Sequence, residues 1–161
     1  MAINVITESE VANLVVTDVS FDESYFTKYI QKAQRKYLRS ALGEDLYNDY
    51  LSNFGSLPAN YQTLKDEFID QMLAYFVVYE AFMEIRDKLT NQGVMHNRTE
   101  FSEQTPSFDY AQLRNEYNSN GNFWQAELIN YLIENNTDYP LFSYDCGEGS
   151  KTSNNKGFII Y

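Results

Sequence analysis

A chain of 161 residues with a hydrophobic fraction of 43% has the size and composition of one globular domain with a sizeable core. Its net charge of −11 argues against a surface that grips duplex DNA over its whole extent. One cysteine, Cys146, excludes an internal disulfide and suits a reducing cytoplasm, and one histidine, His96, excludes a two-histidine zinc site and the paired Glu-x-x-His motifs of a helical di-metal site.

Residues 1–6 read as extended, and no basic n-region or apolar h-region is present, so no signal peptide is expected. Thr7 and Glu10 have the spacing of a capping box, which predicts a short helix carrying Val11, Leu14 and Val15. Ser20 and Glu23 repeat the signature and open a stronger helix. Tyr25, Phe26, Tyr29, Ile30, Ala33, Tyr37 and Ala41 share one side of it, and Leu42-Gly43 closes it. A short helix follows at residues 44–53, with Glu44 and Asp45 complementing the dipole of its first turn and Leu46 and Tyr50 facing in. Residues 54–58 form a turn.

A long helix runs from after Pro58 to about Leu89. Leu64, Phe68, Met72, Tyr75, Tyr79 and Phe82 form its apolar face, and Asp66, Asp70, Glu84 and Lys88 lie opposite. Leu73 and Val77 interrupt the polar stripe, so two turns are apolar all round and must be covered on every side. The apolar run is too short for a membrane span, which needs about 18–20 residues, and Glu80 ends it. Thr90-Asn91-Gln92-Gly93 stops this helix. Residues 94–105 carry no helical period and read as an extended or hairpin-like excursion. Thr105 as N-cap with Pro106 after it starts the last helix.

Tyr110, Leu113, Tyr117, Gly121, Trp124, Leu128 and Tyr131 keep one helical register across residues 118–122. That phase predicts one helix whose Gly121 lets a neighbour approach closely; two helices with a break there are the alternative. Tyr139-Pro140 ends the helical part. Residues 143–156 are rich in Gly, Ser and Asn, and the chain closes on an apolar, β-prone Phe158, Ile159, Ile160 and Tyr161. The expected architecture is all-α, a helical bundle around one long central helix, with an extended loop. A helical domain spans residues 1–142 and an extended C-terminal arm spans residues 143–161.

No catalytic, metal or cofactor residues are assigned, and the chain is read as a non-enzyme. Cys146 and His96 fall in separate loops, so nothing pairs them as nucleophile and base. Residues 147–151 lack the spacing of a phosphate loop. Glu80, Glu84 and Asp87 share a helical side, which is more often a solvated face than a cation site. The 14 tyrosines fit either a Tyr-rich core or a protein–protein interface, with the interface favoured.

Residues 29–51 combine Ile30 and Ala33 three apart, Leu42-Gly43, acidic Glu44, Leu46-Tyr47 and Leu51. Later come Gly93-Val94, a helix ending in Leu128-Ile129-x-Tyr131-Leu132, and Tyr139-Pro140. This order resembles head–tail connector (adaptor) proteins of tailed bacteriophages, over about residues 20–142. It is similar in particular to those of crAss-like and other phages of Bacteroides-type hosts. The resemblance implies an all-helical subunit of a homo-oligomeric ring, about twelvefold. The ring would sit beneath the portal protein, contact tail or further ring proteins, and continue the DNA channel. It implies a place in the virion at the head–tail junction, assembly in the bacterial host cytoplasm, and passage of packaged DNA without sequence-specific binding. No cofactor or membrane is implied. A small helical binding module or regulator acting as a monomer is the competing reading.

In a ring, three groups of residues are the expected contacts. The first is the basic stripe of Lys28, Lys32, Arg35, Lys36 and Arg39, five of the 12 basic residues. A solvated face, a DNA-channel lining, or a contact with the next subunit's acidic surface around Glu44, Asp45 and Asp49 or Asp66 and Asp70 would all suit it. The subunit contact is favoured, because copies of a −11 chain must offset their own repulsion. The second group is Leu73 and Val77, covered by another element or subunit. The third is Phe158, Ile159, Ile160 and Tyr161, docking on a neighbour or folding back on their own subunit.

Overall fold

The computed structural model describes residues 3–15, 23–91 and 107–143, and every regular element among them is helical. The all-α expectation holds. The excursion at residues 94–105 and the C-terminal arm beyond residue 143 lie outside the described residues.

Helix α1, Glu8–Val15, begins at the expected capping box. Glu10 Oε2 accepts from the Thr7 N–H at 2.7 Å, and the Glu10 N–H donates to Thr7 Oγ1 at 3.2 Å. Two donors that the helix start would leave unpaired are thereby satisfied. Val11 is buried, but Leu14 is exposed rather than inward.

Helix α2 is composite. It opens as a 3-10 turn over Glu23–Phe26, winds as α-helix over Thr27–Ala33, widens to a π-turn over Gln34–Leu38, and ends as α-helix over Arg39–Leu42. A π-turn inserts one residue and so shifts the helical phase by about 100°. That shift brings Leu38 and Leu42 into the core, while Tyr37 is only half-buried. Gly43 stops the helix at φ 76°, ψ 166°, a region that side chains disfavour. Its N–H still donates to Arg39 O at 3.1 Å.

Helix α3, Glu44–Ser52, follows at once and buries Leu46, Tyr47 and Tyr50. A 3-10 turn, Phe54–Ser56, leads through Pro58 into α4. That helix is α-wound over Ala59–Leu64, π-wound over Lys65–Ile69 and α-wound again over Asp70–Asn91. Here too the extra residue changes the faces. Ile69 is buried where Phe68 was expected, and Asp70, expected on the solvent face, is drawn inward to 15% side-chain exposure. α4 is the central helix: α1, α2 and the last helix, α5 (Ser107–Glu134), all pack on it.

Gly121 lies inside α5, which is one continuous helix through residues 118–122. The neighbour that comes close is Phe76 of α4, whose ring stacks on Tyr37 of α2 with centroids 3.6 Å apart and planes 2° from parallel. The three longest helices therefore meet at one stacked aromatic pair. After α5 the chain turns so that Tyr139 is buried, its hydroxyl donating to Asn60 O at 3.0 Å and its ring stacked on Tyr61. This ties the end of the helical part to the start of α4.

The N-terminal segment is held by a side chain rather than a strand. Gln34, 1% exposed, accepts from the Val5 N–H at 3.1 Å and donates to Ile3 O at 3.1 Å and to the Tyr47 hydroxyl at 3.3 Å. Its amide thus bonds the backbone of alternate residues 3 and 5 as a neighbouring strand would. Val5 and Ile6 go into the core beneath it.

Candidate interaction surface

The basic stripe of α2 faces α4. Lysines at positions 28, 32 and 36 recur every four residues and so stack on one helix side. Glu80 and Glu84 do the same on α4, running the other way. Lys32 and Lys36 meet Glu80 at 2.6 and 2.7 Å, and Lys28 pairs with Glu84. Two tyrosines of α2 complete the seam: Tyr37 donates to Glu80 Oε1 at 2.6 Å and Tyr29 to Glu84 Oε2 at 2.7 Å. The Glu80 side chain is 6% exposed, whereas both its lysines are 54% exposed. Burial alone would raise the Glu80 carboxyl, but the bonds from Lys32, Lys36 and Tyr37 outweigh it and hold the group at about 2. The same Glu80 bond raises Lys36, and burial together with that bond raises the Tyr37 hydroxyl to about 12.

These contacts correct the expected pairing. Lys28, Lys32 and Lys36 find their acidic partners within the chain, and those partners are Glu80 and Glu84, read from sequence as a solvated face. Arg39 is also matched in the chain, to Glu44 at 2.5 Å across the Gly43 turn. The proposed acidic surfaces are engaged as well. Asp49 accepts from the Tyr61 hydroxyl at 2.5 Å, Asp66 from Gln62 at 2.8 Å, and Asp70 pairs with Lys65 at 2.6 Å. Of the two covers expected for Leu73 and Val77, another element or another subunit, the structure shows the first. Both are fully buried within this one chain, because α1, α2 and α5 surround α4, so neither is open to a partner. Phe158, Ile159, Ile160 and Tyr161 lie outside the described residues, as do His96 and Cys146.

Arg35 is the exception in the stripe. It is exposed, and it has no carboxylate partner among the described residues. It borders a cleft of about 350 Å³ formed by the N-terminal segment, α2 and α3, with Ile3, Gln31, Tyr47 and Leu51 among its walls. Nothing in this cleft makes a catalytic set, and no group of three or more His, Cys, Asp or Glu side chains placed for a metal occurs among the described residues. No helix among them is long and apolar enough to cross a membrane. Among the described residues, the exposed large hydrophobic side chains are Ile3 beside the cleft, Leu14, Leu141, and Phe123, Ile133 and Leu113 of α5, the last of these exposed although it was expected on the packed face.

Reading the sequence for charge stripes missed Gln34, the two tyrosine donors and Arg114, whose guanidinium sits 4.2 Å from the Tyr79 ring centroid. The complementary four-residue spacing of Lys28, Lys32 and Lys36 against Glu80 and Glu84 was the available signal for the seam. No curated protein and no solved structure matches the chain. The family described as of unknown function, DUF6712, matches residues 18–152, a span that includes α2 to α5, and the chain belongs to that family.

Proposed function

We propose that the chain is a structural subunit of a head–tail connector ring in a tailed bacteriophage, joining the portal to the tail and continuing the DNA channel. The observation that carries this reading is the unit built by residues 29–51. Most of the positions that carry the resemblance shape this unit, exposed Glu44 being the exception. Ile30, Ala33, Leu42, Leu46 and Tyr47 are all buried, and Gly43 makes the α2–α3 turn at a positive φ. A likeness at core and turn positions speaks for a common subunit fold, which exposed positions would not. The charge balance supports it further: most cations of the described surface are matched in the chain, leaving an acidic exterior along which DNA slides without sticking.

Electron microscopy of the purified chain, alone and mixed with the portal protein of the same genome, tests the proposal. Rings, free or seated on the portal, are the expected result. A chain that stays monomeric and ignores the portal would refute it and favour the monomeric binding module.

A further inference from the structure

We infer that the Arg35 cleft receives the outward stripe of α5 from a second copy of this chain, with Phe123 entering the cleft and Glu127 meeting Arg35. The inference rests on the ring reading and names the two faces that join.

On the cleft side the observation is an unmatched charge. Lys28, Lys32, Lys36 and Arg39 each have a carboxylate within the chain, and Arg35 has none among the described residues. In a protein with 23 acidic and 12 basic residues, a cation with no carboxylate among the described residues, beside a partly apolar cleft, suits a carboxylate from outside. Ile3, 41% exposed, offers apolar surface at the same place.

On the other side, Glu116, Phe123 and Glu127 fall on one helical stripe of α5, spaced by seven and four residues. All three are exposed, and Phe123, at 56%, is the most exposed large hydrophobic side chain among the described residues. Neither glutamate meets a cation among the described residues. The cleft offers an aromatic anchor the apolar walls of Ile3, Tyr47 and Leu51. Of the two arginines that line it, Arg39 is already held by Glu44, which leaves Arg35 for an incoming carboxylate in the planar, paired recognition that Arg favours. The stripe and the cleft share no residue, as a heterologous, head-to-tail contact requires. Head-to-tail contacts of that kind close into rings when the rotation permits, whereas a shared patch would give a two-fold dimer.

The test is a charge swap followed by sedimentation velocity. The wild-type chain is expected to self-associate. Arg35→Glu and Glu127→Arg should each weaken association on the order of a hundredfold, and the double variant should regain it. Phe123→Ser should weaken it as well. Arg35, Phe123 and Glu127 are exposed, so each variant should keep the wild-type melting temperature. Wild-type assembly that survives both reversals, or single variants that the swap fails to rescue, would overturn the assignment of faces while leaving the ring reading intact. A wild-type chain that stays monomeric at its highest soluble concentration would overturn the second copy as occupant, and microscopy with the portal protein then decides the ring reading separately.

Discussion

Gly121→Ala is the sharpest probe of how the three long helices are packed, because two opposing effects set the sign of its outcome. In an open helix interior the substitution would stabilise by about 1 kcal/mol, since alanine loses less conformational freedom than glycine. Here the new Cβ would stand 2.8 Å from Phe76 Cε1, 2.9 Å from Cδ1 and 3.0 Å from Cζ. Optimal carbon–carbon contacts lie at about 3.5–4.0 Å, so the overlap approaches 1 Å at three atoms. A ring edge with space behind it would swing away at little cost. Phe76 has no such space: it is fully buried, and the Tyr37 ring lies parallel at 3.6 Å. Tyr37 is in turn held by its 2.6 Å bond to Glu80. Relief must come from moving α5 off α4 or from displacing the stacked pair, an overpacking cost of about 1–3 kcal/mol. The expected net effect is destabilisation by about 1 kcal/mol. Urea unfolding followed by circular dichroism should give a lower midpoint with an unchanged slope. Adding Phe76→Leu should return part of the loss, giving the non-additivity expected of contacting residues. A variant more stable than the parent would show that the helices do not meet as described.

Three further outcomes are expected. The Glu80 carboxyl, held at about 2 against an ordinary 4.5, contributes stability that is present above pH 4.5 and lost as the pH falls towards 2. Allowing for screening by its exposed lysines, the loss should be about 2 kcal/mol, and Glu80→Gln should flatten this acid limb in melts across pH. Asp70 behaves oppositely: burial raises it from 3.8 to about 6 despite Lys65, with Glu10 of α1, Asp66 and the buried Tyr50 nearby. The folded state therefore keeps a proton that the unfolded chain releases, stability falls as the pH rises from about 4 to 6, and Asp70→Asn should remove that slope. Gln34→Leu leaves the Val5 N–H without its partner, while Ile3 O keeps its bond from Gln31 at 2.9 Å, so it should cost about 1–3 kcal/mol and speed amide exchange at Val5; unchanged exchange there would show that the clamp is not needed.

The difference between what was legible in the sequence and what was not is local. Thr7 with Glu10, Leu42-Gly43, and the register carried through Gly121 were readable because capping, helix stopping and phase each depend on residues a few positions apart. The faces of α2 and α4 were read less well, for one reason. A constant turn of 100° per residue assumes i→i+4 bonding throughout, and both helices carry a π-turn, over Gln34–Leu38 and Lys65–Ile69. Each inserted residue rotates everything after it, which is how Leu38 and Ile69 became core and Asp70 was drawn inward. The basic stripe was legible as a stripe, but its partner was not, because the antiparallel approach of α2 to α4 that sets lysine against glutamate is a tertiary fact. That approach changes the electrostatic argument for assembly. Three lysines paired with Glu80 and Glu84 have little net charge left to offer a neighbour, and Arg39 is engaged by Glu44. Were copies of a −11 chain to assemble, few cations among the described residues would be left to offset their repulsion. An assembly that depends on so few cations should be sensitive to a single reversal at Arg35 and tolerant of reversals within the paired seam, provided the fold survives them.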